Sequence, residues 1–408
     1  MAVAVPLEPA RVAGVCAPLG FRAGAAAADV RGDNDGRLDI ALVRSDTPAT
    51  AAGVFTRNLV KAAPVVISQL TLRRGTPVGA VVINSGNANA CTGAQGFRDA
   101  LRMCATSAEV LDLDPSEVLV CSTGVIGRPM PMERVNAGIR AASGLTDATG
   151  EAAALAILTT DRVPKVAMTS VDVDGVRVGV GGMAKGAGMI HPDLATLLAV
   201  ITTDAAVPVQ LLQPMLRRVA DSTFNCVSVD GDTSTNDSVI LLANGAAGGA
   251  PLQDGAGLAV LESALFEVCD SLAEQLVADA EGSERYFRVS VAGAGNAEHA
   301  RQAARVVAES PLVKAAVHGG DPNWGRVVAA LGRSGAAFTL DRCSVAIGGF
   351  TVFERGAPAP IDLQLIADAL RQRRINIDVE LGAGDASGHA WGCELTPEYV
   401  HINADYTT

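Results

Sequence analysis

Gly181-Gly-Met-Ala-Lys-Gly-Ala-Gly-Met-Ile-His-Pro-Asp-Leu-Ala-Thr-Leu-Leu-Ala-Val-Ile201 runs from a glycine-rich approach through Pro192 to a small residue, a threonine and an apolar run. As structure alone it is a glycine loop entering a buried strand, with Thr196 a β-branched strand residue. As chemistry it is a self-cleavage site between Ala195 and Thr196, leaving Thr196 as a new N-terminus. A threonine so exposed carries its own base, an α-amino group with a pKa of roughly 7.7–8.0. Before cleavage the same hydroxyl can attack the preceding carbonyl. Ala195 presents little bulk there, and the glycines permit a backbone that larger residues resist.

Outward from this stretch, strand and helix patterns alternate, as in an α/β or α+β chain. Lys165–Val180 predicts a hairpin, because Val171 to Val178 alternates around an Asp174-Gly175 turn. Val78–Ile83 and Val118–Cys121 read as buried strands that end in small-residue turns. Helices are predicted over Glu133–Ala142, Glu151–Leu158, Val209–Phe224 and Leu261–Ala280, the last closed by Glu281. Beyond Tyr286 a strand (Tyr286–Val291), a helix (Glu298–Ala308) and further strands follow, so a boundary is placed near residue 285. Gly245–Gly257 is a Gly/Ala-rich loop with no evident chemistry.

Composition narrows the function. The 408 residues suggest two or three domains, and 49% are apolar with few rings, so the core is built from Ala, Val, Leu and Ile. A net charge of −12 lacks the footprint of nucleic-acid binding, and the basic cluster Arg371-Gln372-Arg373-Arg374 reads as a solvated helix end. No apolar run reaches the ~20 residues of a membrane span, and the N-terminus lacks the basic start of a signal peptide. The expectation is a soluble, cytoplasmic protein with no membrane or nucleic-acid partner. The eight cysteines are scattered and read as buried thiols, and the five histidines form no ligand pattern, so no metal is expected. A hydrolase elbow and a phosphate loop are both absent. Gly179-Val-Gly-Gly-Met-Ala184 lies on the hairpin rather than opening a βαβ unit, so it is not a dinucleotide fingerprint.

Lys185 to Thr196 closely resembles the processing segment of the bacterial ornithine acetyltransferase family, also called glutamate N-acetyltransferase or ArgJ. Gly53-Val-Phe-Thr-Arg-Asn58, Asn84-Ser-Gly-Asn-Ala-Asn-Ala90, Ser122-Thr-Gly-Val-Ile-Gly127, Thr159-Thr-Asp161, Val229-Asp-Gly-Asp-Thr-Ser-Thr-Asn-Asp237, Asp279-Ala-Glu-Gly282 and His318-Gly-Gly-Asp-Pro-Asn-Trp-Gly-Arg326 match in the family's order. The sequence departs from the common pattern at Leu194 and Leu197, where methionine is usual.

The resemblance implies a layered α/β/β/α sandwich, shared with self-processing aminopeptidases of the DmpA type, and a smaller α/β C-terminal domain. It implies an α chain of residues 1–195 and a β chain of 196–408. Residues 196–285 would complete the sandwich and 286–408 would form the smaller domain, with the chains paired as an α2β2 heterotetramer. It implies acetyl transfer from N2-acetylornithine through Thr196 to glutamate, releasing ornithine and giving N-acetylglutamate for arginine biosynthesis. No cofactor is implied, and acetyl-CoA stands as an alternative co-substrate.

By the same resemblance Thr123 and Gly124 form the oxyanion hole. A hydroxyl and a backbone N–H suit that task physically. Thr159, Lys185, Thr196, Glu281, Asn403 and Thr408 bind substrate. From its neighbours alone Lys185 reads as an exposed loop lysine; as a ligand, its cation suits an amino-acid carboxylate. Glu281, at a helix end disfavoured by the dipole, would be compensated by the ornithine ammonium. His318–Arg326 reads as a turn-rich structural loop. Two alternatives stay open: an N-terminal-nucleophile aminopeptidase or amidase on the same fold, and a non-catalytic amino-acid-binding protein.

Overall fold

The structure, a computed structural model, describes residues 14–191 and 197–405. Ala195, Thr196 and Thr408, three of the residues singled out above, lie outside the described residues.

The first body is built from β1 (Phe21–Ala26), β2 (Ile40–Phe55), α1 (Ala63–Arg73), β3 (Val78–Asn84), α2 (Gly93–Leu111), β4 (Val118–Ser122), α3 (Met132–Ala142) and α4 (Glu151–Ala156). It continues through β5 (Lys165–Val173), β6 (Val176–Lys185), β7 (Leu198–Thr203), α5 (Val209–Ser222), β8 (Val227–Ser228), β9 (Ser238–Ala243) and α6 (Ala256–Ala278). Strand order is β4-β3-β2-β9-β7-β6-β5, with β1 on β2.

The long strand β2 makes this arrangement two sheets. Ile40–Arg44 pair with β3, the register then slips, and Thr50–Phe55 pair with β9. Pro48 sits in the slipped stretch, where a missing N–H costs no ladder bond. Each sheet therefore buries one face against the other and one against helices. Val43, Val81, Ile83, Leu119, Val200, Ile240 and Leu242 fill the space between the sheets. Ile40, Leu42, Val82 and Val120 pack under α1, α2 and α3. Val180, Ile201 and Leu241 pack under α5 and α6. The layers run helix, sheet, sheet, helix. β3, β7 and β9 are buried along their whole length, which explains their continuous apolar runs.

A further sheet, outside the sandwich, begins at β10 (Tyr286–Ala294), followed by α7 (Ala297–Ala308), α8 (Pro311–Gly319), α9 (Trp324–Gly332), β11 (Ser344–Ile347), β12 (Phe350–Glu354), β13 (Ala357–Pro358), α10 (Leu363–Leu370), β14 (Arg374–Glu380), β15 (Ala386–Cys393) and α11 (Pro397–Asp405). Its order is β13-β12-β11-β14-β10-β15-β8, so the short β8 of the first body extends it at Trp391 and Val227.

The expected hairpin is present, with Asp174 and Gly175 both at positive φ as a type I′ turn demands. Four expectations need correction. The helix before Glu281 spans Ala256–Ala278, so Glu281 lies beyond its end and the dipole argument does not apply. His318–Arg326 is mostly the end of α8 and the start of α9, joined by four residues. Lys185 ends β6 and is buried, because β6 continues through the glycines instead of dissolving into a loop. Cys91 is exposed, unlike the other cysteines, of which only Cys16 is partly exposed. Among the described residues no helix is long and apolar enough to cross a membrane, and no cluster of His, Cys, Asp or Glu could hold a metal.

Candidate active site

The pocket lies where β4 and β6 end, walled by the Asp230–Asn236 loop, the residues after α6, and α11. Thr123, Gly124, Thr159, Lys185, Glu281 and Asn403 all line it. The six described residues named from the resemblance therefore converge, although they are spread over 280 positions of sequence.

Gly124 follows β4 at a φ of +131°, and an added Cβ would lie 2.5 Å from the Asn87 nitrogen. No side chain fits, and the Asn84–Ala90 loop is the reason. That loop is fixed by Asn84 Nδ2 donating to the Asn87 carbonyl (2.8 Å), and by Asn236 Nδ2 donating to the Ala88 and Ser122 carbonyls (2.6 and 2.8 Å). Among the described residues the Gly124 N–H finds no acceptor. A free N–H beside a hydroxyl is the donor pair an oxyanion requires.

Lys185 joins the polar groups. Its Nζ donates to Thr159 Oγ1 (2.8 Å) and Thr123 Oγ1 (3.3 Å) and lies 3.7 Å from Asp161 Oδ2. Burial pushes the Lys185 ammonium down from the ordinary lysine range, and Asp161 is the strongest opposing influence. Asp161 itself is fully buried. Burial acts to raise its carboxyl, but Lys185 and Lys165 outweigh that and hold it at about 2. Its oxygens also accept the Gly186 N–H (2.7 Å), the Thr159 N–H (3.2 Å) and Lys165 Nζ (2.5 Å). Lys165 in turn contacts Asp279 Oδ2 at 2.5 Å, and Asp279 holds Arg162 at 2.9 Å. Alternating charges Lys185, Asp161, Lys165, Asp279 and Arg162 thus form one network beneath the pocket.

On the opposite wall, the Glu281 N–H donates to the Ala187 carbonyl (2.9 Å), and its carboxylate lies against Gly188, where a Cβ would collide with it. Asn403 on α11 donates to Glu281 Oε2 at 2.9 Å. The C-terminal helix therefore belongs to the site. Tyr399 on the same helix donates to Asp230 Oδ2 at 3.2 Å.

Two aspartates of the Val229–Asp237 stretch hold the chain on either side of residues 192–196. Asp230 accepts the N–H groups of Met189 (2.6 Å) and Ile190 (2.9 Å), and Asp237 accepts that of Leu197 (3.0 Å). Complete burial drives the Asp237 carboxyl well above the carboxylate range. Sequence reasoning quoted the stretches containing Asp161, Asp230, Asp237 and Asp279 but gave these residues no task. Their presence inside matching stretches was the available signal.

The ArgJ family model matches residues 22–408. The chain belongs to the ArgJ family. Among ArgJ relatives, the arginine biosynthesis bifunctional protein ArgJ of Symbiobacterium thermophilum is 49% identical over 97% of this chain and 98% of its own length. That of Dehalococcoides mccartyi is 45% identical over 97% of each. Among solved ArgJ structures, the ornithine acetyltransferase from Mycobacterium tuberculosis complexed with ornithine is 45% identical, covers 46% of this chain and 97% of that one, and has a TM-score of 0.42.

Proposed function

We propose that the protein transfers an acetyl group from N2-acetyl-L-ornithine to L-glutamate through an acetyl-Thr196 intermediate, after cleaving itself between Ala195 and Thr196. One observation carries the reading: a free Gly124 N–H and the Thr123 hydroxyl face the same pocket as Lys185 and the Glu281–Asn403 pair. Acyl-transfer donors and groups suited to the two ends of a basic amino acid thus share one cavity. Membership of ArgJ, whose relatives are named for arginine biosynthesis and for two functions, supports the same reading.

In this reading the Thr196 hydroxyl attacks the acetyl carbonyl and passes its proton to the Thr196 α-amine. Thr123 and Gly124 stabilise the oxyanion, and the proton returns to the departing ornithine nitrogen. Lys185 holds the amino-acid carboxylate, with Thr159 beside it, and Glu281, helped by Asn403 and the terminal Thr408, holds the ornithine side-chain ammonium. Glutamate then enters and takes the acetyl group in a ping-pong order. Acetyl-CoA is the second donor, which accommodates the bifunctional name of the relatives. The 1–195 and 196–408 chains stay associated as α2β2, with 196–285 completing the sandwich of the DmpA/ArgJ-like type and 286–408 forming the smaller domain. The enzyme works in the cytoplasm without cofactor or metal.

The test is glutamate acetylation, measured separately with acetylornithine and with acetyl-CoA. N-acetylglutamate formed from acetylornithine supports the reading. Release of free acetate independent of glutamate makes the protein a hydrolase, and absence of any acyl-enzyme on active-site titration makes it a binding protein.

A further inference from the structure

Beside the transfer pocket lies a second cleft of about 680 Å³, lined by Arg162, Arg285, Arg371 and Arg373 together with Asp279 and Glu284. Its lining carries four guanidiniums and two carboxylates; Arg162, Arg285 and Arg371 are paired with Asp279, Glu394 and Asp368, and Arg373 is left as a cation with no ion pair among the described residues. The sequence stretch Arg371-Gln372-Arg373-Arg374 is an exposed helix end, as its pattern predicted, with Arg371 capping α10. It connects α10 to β14, and the fold brings it to Arg162 and Arg285 from two distant segments.

These arginines keep donors to spare. Arg162 gives Nε to Asp279 and Nη2 to the Ser283 carbonyl. Arg285 is tied to Glu394 and the His318 carbonyl, and Arg371 to Asp368. Asp279 is already shared with Lys165. The Arg373 carbonyl accepts the Tyr286 N–H (2.9 Å), but its guanidinium makes no hydrogen bond or ion pair among the described residues. Each guanidinium carries five N–H groups in a fork that matches phosphate oxygens, so several N–H groups remain free to meet an anion entering from solvent.

The cleft and the transfer pocket have no lining residue in common, but their linings are neighbours along the chain. Arg162 follows Thr160 by two residues, and Asp279 and Ser283 each lie two residues from Glu281; Thr160 and Glu281 line the transfer pocket. At 3.8 Å per step, each separation is at most about 8 Å of chain.

We propose that this arginine cleft binds the nucleotide phosphates of a coenzyme A thioester, the acetyl group being carried on its flexible arm into the transfer pocket. The inference rests on the acetyl-transfer reading and assigns the donor's anchoring site. Transfer from the thioester forms the bond between Thr196 Oγ and the acetyl carbon and breaks the C–S bond. The hydroxyl proton goes to the departing sulfur, so no other reactant is needed. Acetylornithine carries no phosphate and makes no use of the cleft.

The experiment uses the purified full-length protein, its Arg373→Gln single variant and its Arg371→Gln/Arg373→Gln double variant. The Arg373 guanidinium has no hydrogen bond or ion pair to lose among the described residues, which keeps the single variant a fair test if the double variant proves unstable. Adenosine 3′,5′-bisphosphate should bind the wild type by calorimetry, more weakly as salt is raised, and should lose at least about tenfold in affinity in the double variant. KM for acetyl-CoA should rise by a similar factor with kcat unchanged, while KM for acetylornithine stays put. Failure of the bisphosphate to bind the wild type overturns the proposal, as does an unchanged KM for acetyl-CoA. Inorganic phosphate binding as tightly as the bisphosphate makes the cleft a site for free phosphate and also overturns it. Bisphosphate binding that the variants abolish, in a protein that does not use acetylornithine, leaves the cleft standing and removes the acetylornithine-transfer reading instead.

Discussion

Lys185 Nζ lies 3.7 Å from Asp161 Oδ2 at the floor of the pocket, with both side chains almost wholly hidden from water. A lysine so placed keeps its charge only while an anion faces it. Asp161 also fixes the chain beside each of two pocket-lining residues, Thr159 and Lys185, through the Thr159 and Gly186 N–H groups.

Asp161→Asn keeps the shape and removes the charge. The Lys185 ammonium, already lowered by burial, should fall further, because its strongest opposing influence is gone. The alkaline limb of the kcat/KM profile should therefore move to lower pH, whereas a purely structural role would lower the whole profile without moving it. Glu281 and Asp237 still raise Lys185, against Lys165, which lowers it, so the limb shifts rather than vanishes. The stability sign is equally definite. Asp161 is held at about 2, below its ordinary 3.8, so it stabilises the fold above pH 4 and this contribution is lost as pH falls towards 2. Acid unfolding of wild type and variant should converge in that window. An alkaline limb unmoved in Asp161→Asn would show that Asp161 does not set the charge of Lys185.

Self-processing gives a second expectation. Dividing 41.5 kDa between 195 and 213 residues gives fragments of about 20 and 22 kDa, and Edman sequencing of the larger should begin Thr-Leu-Leu-Ala. Thr196→Ala should fold, remain one chain and be inactive. An active enzyme that runs only as an intact chain would sink this part of the proposed function.

The proposed oxyanion donors, Thr123 and Gly124, supply a third. Gly124→Ala places a Cβ against the Asn87 nitrogen at a φ that other residues rarely adopt. The backbone must move, and with it the free N–H. Loss of one such donor costs about 10²–10³ in kcat, and the strain should lower stability by roughly 1–3 kcal/mol. Thr123→Ser retains a hydroxyl for the Lys185 contact and should keep most activity, while Thr123→Val should not. Steady-state kinetics beside thermal melts separate the two effects.

How far the sequence reached follows from the range of each interaction. The buried strands β3 and β4 and the Asp174-Gly175 hairpin were legible because their determinants are local: apolar runs and a turn needing two positive φ angles. Lys185 was misread as exposed for the complementary reason. Its glycine neighbours look like a loop, and its burial depends on Thr159 and Asp161, more than twenty residues away, and on Thr123, still further. The link from Lys165 to Asp279 spans 114 residues, and no local pattern announces it. The pairing of β8 with β15 is longer still. Motif resemblance gathered the pocket residues but could not say which aspartates hold them in place.

Glu281 separates an ornithine site from a general acyl-transfer site. It stands in a loop after α6, so its negative charge is not part of a helix end, and among the described residues its side chain is met by the neutral Asn403 amide at 2.9 Å. Glu281→Gln preserves an oxygen for Asn403 while removing the charge offered to a ligand ammonium. A charge-assisted contact is worth about 1.5–3 kcal/mol, so kcat/KM for acetylornithine should fall by about 10- to 150-fold. Acetylglutamate has no side-chain ammonium, so acetyl transfer from it to Thr196, the first half of the reverse reaction, should lose much less. Processing precedes substrate binding and should be unaffected. Asn403→Ala should raise KM for acetylornithine more modestly, since it frees the carboxylate to turn but leaves its charge. Equal losses with both acetyl donors, or a Glu281→Gln chain that does not process, would place Glu281 in the framework that holds Ala187 and Gly188 instead of in substrate recognition.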